Sequence, residues 1–592
     1  MQPDTRNTVL FVVAATVLLL IYQHFVFDPV AKRRDADARA RAAVQAQANV
    51  AAAAASITVP RAQALAESPR AAIDSPSLKG SVSLRGGRID DLWLKKYRQT
   101  LAKDSPPVEL LRPEGAEGAY FADFGWTGAN LPGLPGQDTV WTLAQGSTLS
   151  PGHPLTLTYR SPQGLQFTRT ISLDDKYMFT VADTVANGGT APAALEPYAT
   201  VQRQGLPADI LTAINVHQGA IGWLGDLKME AYKAWKKKGQ IDYASTGGWA
   251  GITDKYWMAV LAPDQREHIR AVFRVTPSRG IDIYDASYLG QSRTVAPGQQ
   301  ATVSTHLFAG AKTVPDLKQY THDLGIPELD RAVDWGRLWF ITRPVFAVLE
   351  FFNHHVGNFG VAILLLTICV RLLLFWPANK SYESMTKMKK VQPELDKIRQ
   401  RYKDDAAKQQ QEMMAFYKRE RINPFMGCLL MLPTLPIFLA LFKVLSVTIE
   451  MRHASFGFVH DLSASDPTTI WNLFGLIPWD PSTLPMLGGF FGPAGMLHIG
   501  VWALAYGFTT WLTQSMTPTT GMDPTQRTMM QFMPLVMMFV LARFTVGLLI
   551  YYTWSNLLSL IQQYVIMRRF KVENPIDSVI DRLRGRPKPA TT

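Results

Sequence analysis

Arg371 is the only charged residue in FGVAILLLTICVRLLLFWPA, the apolar run over 359–378. A charge at membrane depth costs a few kcal/mol even on lenient insertion scales, so such residues usually mark function. No Asp or Glu lies in any other apolar stretch to neutralise it. An unpaired arginine at that depth needs water, and water there needs a polar cavity. The chain offers the groups for one. Thr367 lies one turn before Arg371 on the same helix face. Tyr552, Asn556, Ser559 and Gln563 are spaced 0, 4, 7 and 11 and fall within about 60° of one another on a helix. Thr509, Thr513 and Gln514 sit in the inner half of another apolar run, and Thr434 in a third. Singly, such residues are ordinary packing glue between helices, and Arg371 alone could snorkel to the near surface. Together they point to a polar groove open toward the cytoplasm. Its chemistry is electrostatic: a hydrated guanidinium lowers the cost of a carboxylate at that depth.

These groups need spans to carry them, and about 20 apolar residues cross a bilayer as a helix. Residues 7–27 qualify, and DPVAKRR follows them instead of a small-residue cleavage site, which marks an uncleaved anchor. Further spans are expected at 357–378, 424–449, 495–516, 529–545 and 546–567, with a turn near 544–547. The fifth is short enough to thin the bilayer. Residues 379–423 carry 12 Lys/Arg against 7 Asp/Glu, and residues 568–592 carry 7 against 3. Four spans separate these basic segments, so both are expected in the cytoplasm, with 1–6 inside and 28–358 outside. Lys32, Arg33, Arg34, Arg39 and Arg41 follow the first span and argue the reverse, but long loops translocate largely regardless of charge. Lys443 and Arg543 then fall near outer span ends, where snorkelling is expected.

Residues 28–79 read as an Ala-rich linker. Over 80–325 the pattern changes to alternation. SVSLRGGRIDDLWL, HPLTLTYRS, LQFTRTISL, YMFTVADTV, WMAVLAP, IRAVFRVTP and QATVSTHLF read as strands of a large β-sandwich. Trp126, Trp141, Trp223, Trp235 and Trp249 are either core or stacking platforms for a sugar. AWKKKGQ (234–240) reads as a solvated loop. Region 326–356 contains an amphipathic helix over 337–352 expected in the membrane interface. The adjacent His354 and His355 do not share a helix face, so no metal site is expected there. The 379–423 segment reads as an antiparallel helical hairpin breaking at 403–407. Met388, Leu395, Ile398 and Tyr402 face Met413, Met414 and Tyr417 across it. With Lys387, Lys390, Arg399 and Lys403 it is a candidate docking site for a nascent chain, a ribosome or a targeting factor. Loops at 450–494 (outer) and 517–528 (cytoplasmic) complete the plan.

At TICVRLLLFWPANKSYESMTKMKKVQPELDKIR, QEMMAFYKRERINPFMGC, PIFLALFKVL, HDLSASDP, QSMTPTTGMDPTQ, FMPLVMMF and GLLIYYTWSNLLSLIQQ the chain resembles the YidC/Oxa/Alb family of membrane protein insertases, nearest its Gram-negative YidC branch. The resemblance covers nearly the whole chain. It implies a five-helix core around a hydrophilic groove, open to cytoplasm and lipid and closed to the outside, with Arg371, Thr367 and Tyr552 at the family's groove positions. It also implies a periplasmic β-supersandwich that is dispensable for the core activity. Two positions depart from the family pattern. Thr434 stands where a glutamine is common, and the last turn reads FTVGL where FPSGL or similar is common.

The expectation is a multi-pass α-helical membrane protein with six spans, a five-helix insertase core and a large periplasmic all-β supersandwich domain. It would insert and help fold inner-membrane proteins, alone or with the Sec translocon, with the ribosome and signal recognition particle receptor as further partners and membrane lipids around it. No cofactor, metal, enzymatic constellation or sequence-specific nucleic-acid contact is expected, and no phosphate-binding Gly-rich loop is present. Against a transporter stand the missing acidic partner for Arg371 and the missing internal repeat. An envelope sugar-binding or sensor protein is the alternative.

Overall fold

The computed structural model describes residues 58–577, apart from 129–130, 208–209, 211–215, 404, 421–430, 478–496, 518–523, 573 and 575. The expected anchor at 7–27, most of the linker and the tail beyond 577 lie outside the described residues.

The alternating segments pair into two sheets, of eleven and nine strands among the described residues. All seven stretches expected as strands enter them. Pairing is antiparallel throughout except where Arg70–Asp74 runs parallel to Thr148–Leu149. In Leu165–Leu173 and Met178–Asn187 every second residue is buried, the period-2 pattern of a sheet with one covered face. Polar ties cross between the sheets. Tyr120 donates to the Ile252 carbonyl, and the fully buried Arg169 bonds the carbonyls of Gly86, Gly87 and Phe124 while pairing with Asp183 at 2.7 Å. Three helices join the strands: Arg61–Ala66 (α1), Tyr232–Lys238 (α2) and Val314–Leu324 (α3). The 234–240 segment is therefore mostly helix, not the expected solvated loop. Tyr232 and Trp235, three apart, bury one face of it, while Lys236 and Lys238 pair with Asp282 and Glu230 at 2.5 Å.

The second half is helical: Trp339–Val356 (α4), Phe359–Leu373 (α5), Phe375–Lys390 (α6), Gln392–Arg401 (α7), Ala406–Arg419 (α8), Met431–Val447 (α9), Val501–Ser515 (α10), Pro524–Leu541 (α11) and Val546–Arg569 (α12). In α4, Thr342, Phe346 and Leu349 are buried at the spacing of one helix face. The apolar run over 359–378 is not one straight helix. It ends at Leu373 and bends 67° into α6. Pro377 explains the break: it has no N–H for the Leu373 carbonyl, yet is tolerated in the first turn of a new helix. The break leaves α5 roughly 22 Å long. No single described helix is long and apolar enough to cross a membrane. The bent pair α5–α6 passes together, and 433–447 and 528–541 are shorter apolar helices. α12 has the length at 24 residues, but its Tyr, Asn, Ser and Gln side chains dilute its apolar character.

At the β-domain end, the segment over 449–470 covers the bundle. Asn358 caps α5 and reaches the Ser455 carbonyl. Asp466 accepts from Trp502 N–H at the start of α10. The carbonyls of Ala464 and Leu462 accept from Val546 and Gly547 at the start of α12. These contacts satisfy helix N-termini that would otherwise be orphaned. They also fix the FTVGL turn without a proline. One continuous apolar core runs from Leu78 and Trp126 through Trp335 and Phe346 to Leu441 and Leu548.

Candidate functional site: Arg371 and the two ends of the helical bundle

Arg371 sits near the far end of α5, half-buried. Its Nε donates to Ser555 Oγ at 3.1 Å, and its Nη2 donates to the same hydroxyl at 2.5 Å and to the Ser555 carbonyl at 2.9 Å. Both partners are neutral. Among the described residues no carboxylate pairs with it.

The polar side chains of α12 form two edges, one of them beside the stripe read from the sequence. Ser555 and Gln562, seven apart, face α5 and α6, where Gln562 donates to Asn379 at 2.6 Å. Asn556 faces α10 and bonds Thr510 at 2.9 Å and Thr509 at 3.3 Å. Tyr552 lies between Phe438 and Tyr506, with ring centroids at 5.2 and 6.0 Å, and its buried hydroxyl has no hydrogen-bond partner among the described residues. Ser559 and Gln563 are buried, and Ser559 bonds the Ser555 carbonyl at 3.0 Å. Two threonines are satisfied within their own helices: Thr367 bonds the Ile363 carbonyl at 2.7 Å, and Thr513 that of Thr509 at 2.8 Å. Gln514 donates to the Met530 carbonyl of α11 at 2.6 Å. Thr434 is exposed on α9. The sequence reading missed Ser555, Gln562, Asn379 and Thr510. The seven-residue spacing of Ser555 and Gln562, beside the stripe it did identify, was the available signal.

In the hairpin, six of the seven expected seam residues cluster, and Tyr402 lies outside the cluster. Leu395, Phe416 and Tyr417 are buried, with Met388, Ile398, Met413 and Met414 packed on them. Lys390 and Lys403 are exposed, Arg399 lies 3.8 Å from Asp396, and Lys387 Nζ lies 5.7 Å from the Phe570 ring centroid.

The β-domain end is built differently. Lys443 of α9 does not snorkel. Its Nζ pairs with Asp334 at 2.5 Å, both side chains are largely buried, and the same carboxylate accepts the His217 N–H at 2.8 Å. Burial alone pushes Asp334 up, but Lys443 and the His217 N–H overcome it and hold the carboxyl below its usual range. Glu450 accepts the Val314 N–H of α3 at 3.2 Å, and its second oxygen is buried without a partner. Burial pushes this carboxyl up to about 7, with Glu350 and Asp316 adding to the effect. Arg452 donates to the Gln99 carbonyl at 3.0 Å and lies over the Trp257 ring at 5.3 Å.

Residues 70–348 match the family described as YidC periplasmic domain, and residues 351–574 that described as 60Kd inner membrane protein. The membrane protein insertase YidC of Caulobacter vibrioides (strain NA1000 / CB15N) is 52% identical, with all of both chains covered. The chain belongs to the YidC family. The YidC of Nitrobacter hamburgensis is 44% identical, again over all of both chains. Among solved structures, an active YidC insertase with its first transmembrane domain resolved aligns over 84% of this chain and 94% of its own, at 16% identity and a TM-score of 0.36. In YidC family terms, the two sheets fall within the periplasmic domain and Arg371 lies in the helical part.

Proposed function

We propose that this protein is a membrane protein insertase and folding aid whose working part is the groove around Arg371. The observation that carries this reading is the anchoring of Arg371 by neutral groups. Its charge is held in place by Ser555 yet left uncancelled by any acid among the described residues. A substrate's short polar outer segment enters from the cytoplasm, and its carboxylates approach the guanidinium. At 4 Å and an effective dielectric of 20, one such pair contributes about 4 kcal/mol. The short fifth span thins the bilayer and shortens the remaining path. The substrate's own apolar helix then moves into lipid. Its burial drives insertion, together with the membrane potential at about 2.3 kcal/mol per charge per 100 mV.

Large exposed apolar side chains on the outer helices support a lipid-facing surface. They include Phe508, Trp511, Phe532, Leu535, Ile561 and Val565, a density a water-facing surface avoids. In this reading the chain has six spans, counting 7–27, with both termini cytoplasmic and the two sheets stacked as a periplasmic supersandwich. The hairpin receives the nascent chain, the ribosome or the signal recognition particle receptor, and the Sec translocon works beside the groove on some substrates. The sugar-binding alternative loses support from its tryptophans: Trp126, Trp141, Trp235 and Trp249 are buried core.

The test is reconstitution. The purified chain in liposomes is given a small single- or double-spanning protein with an acidic outer segment, and insertion is read by protease protection. Insertion above that of empty liposomes is expected. None, with the protein folded, overturns the reading.

A further inference from the structure

The bend between α5 and α6 exposes an apolar band that runs into a basic stripe. Leu372 and Leu373 are 67% and 76% exposed, and Phe375 and Trp376 are 50% and 67% exposed. On α6 the residues Trp376, Lys380, Glu383, Lys387 and Lys390 fall within about 80° of one another at 100° per residue. The opposite face of α6 is spent on packing: Ala378 and Tyr382 are buried against Ile566 of α12. Lys380 Nζ lies 4.1 Å from the Trp376 ring centroid, and Lys387 leans on Phe570. Neither lysine has a carboxylate partner among the described residues. Arg568 and Arg569 end α12 beside this helix, both exposed.

We infer that this face of α6 is a binding surface for anionic phospholipid, in which Phe375 and Trp376 seat in the acyl–headgroup boundary and Lys380 and Lys387 each take the phosphate of one headgroup. The inference rests on the reading of α5 as a membrane span. The bend is what makes the surface. A straight helix would carry Lys380 and Lys387 directly away from the bilayer, whereas a 67° turn lays α6 nearer its plane. On a helix near the bilayer plane, an aromatic residue seats at the acyl–headgroup boundary and lysines on the same face snorkel to the headgroups. Lys380 and Lys387 are about 10 Å apart along the helix, too far for one phosphate and suited to two headgroups. Glu383 lies between them on the same stripe and disfavours a continuous polyanion such as RNA more than two separate headgroups.

The test uses the full chain in phosphatidylcholine vesicles carrying roughly one quarter phosphatidylglycerol. Photoreactive analogues of each lipid, with the same reactive acyl chain, label the protein, and labelled peptides are assigned to 372–390. Phosphatidylglycerol is expected to label this segment in preference to phosphatidylcholine. The preference falls about tenfold in Lys380→Gln/Lys387→Gln and persists in Lys380→Arg/Lys387→Arg. Equal labelling by the two lipids overturns the inference, as does an unchanged preference in the glutamine variant. A crosslinker at position 387 that captures ribosomal RNA instead of lipid when ribosomes are added also overturns it. Protease-protected insertion in the same vesicles reads the insertase assignment separately. Lost insertion with intact lipid preference counts against the groove, and lost preference with intact insertion counts against the lipid surface alone.

Discussion

The two ends of the helical bundle each hold a cation on an apolar helix and treat it in opposite ways. Lys443, at the β-domain end, meets Asp334 in a largely buried ion pair backed by the His217 N–H. Arg371, toward the far end, meets a serine hydroxyl and a carbonyl. The first arrangement cancels charge and fixes position, so α9 is tied to the β domain. The second fixes position and leaves the charge in force. A buried pair is costly to break, whereas a cation on neutral partners has little stability at stake and much electrostatic reach.

Breaking the Lys443 end should have the largest effect on stability. Asp334→Asn removes the charge partner of a buried lysine and is expected to cost about 3–5 kcal/mol in chemical denaturation of the solubilised chain, most of it recovered in Asp334→Asn/Lys443→Met. Arg371→Met, on the same measurement, should cost less, about 1–2 kcal/mol for its bonds to Ser555. Equal losses at the two sites would erase the contrast. The pair also has a pH signature. Asp334 is held below its usual range, so its contribution is present above the ordinary carboxylate range and lost as pH falls through the depressed value.

Glu450 sharpens the contrast at the β-domain end, because it is buried there without an ion-pair partner among the described residues. Its folded value near 7 lies above the ordinary 4.5, so the folded chain binds the extra proton. Its contribution is full below 4.5 and is lost as pH rises to about 7, on the order of 3 kcal/mol. Thermal unfolding of the wild type should weaken across that window, and Glu450→Gln should flatten the response. A parallel pH response in the variant would remove Glu450 from the account.

The Arg371 end should show its effect in transport rather than stability. Arg371→Ala is expected to lower insertion of a substrate with an acidic outer segment by about 10- to 100-fold, with Arg371→Lys retaining most activity. Equal insertion by all three would leave the insertase assignment standing and remove the charge mechanism. The smallest effect is expected from Ser555→Ala. It loosens the guanidinium without removing its charge, so insertion should fall by less than about tenfold and stability by about 1 kcal/mol.

Much of this was legible in the chain. Period-2 alternation announced the sheets. The hairpin seam followed from Met388, Leu395 and Ile398 on one run and Met413, Met414 and Tyr417 on the other, though Tyr402, expected on the same face, lies outside the cluster. Arg371 announced itself as a lone charge in an apolar run. Such signals are local: they depend on which face of one element a residue occupies, and periodicity encodes that. The sequence also carried Pro377 but not the direction of the chain after it, and the 67° bend depends on what α6 packs against. The tertiary structure alone decided the partners. Ser555 lies 184 positions from Arg371 and Asp334 lies 109 from Lys443, and no pattern within either segment reports a neighbour that distant in the chain. The same holds for the 234–240 segment, where an exposed lysine run reads as a loop until Trp235 is seen to be fully buried and the segment helical. Residue type and spacing determined which groups are present and which faces they share. Packing decided which charges are cancelled and which are left to act.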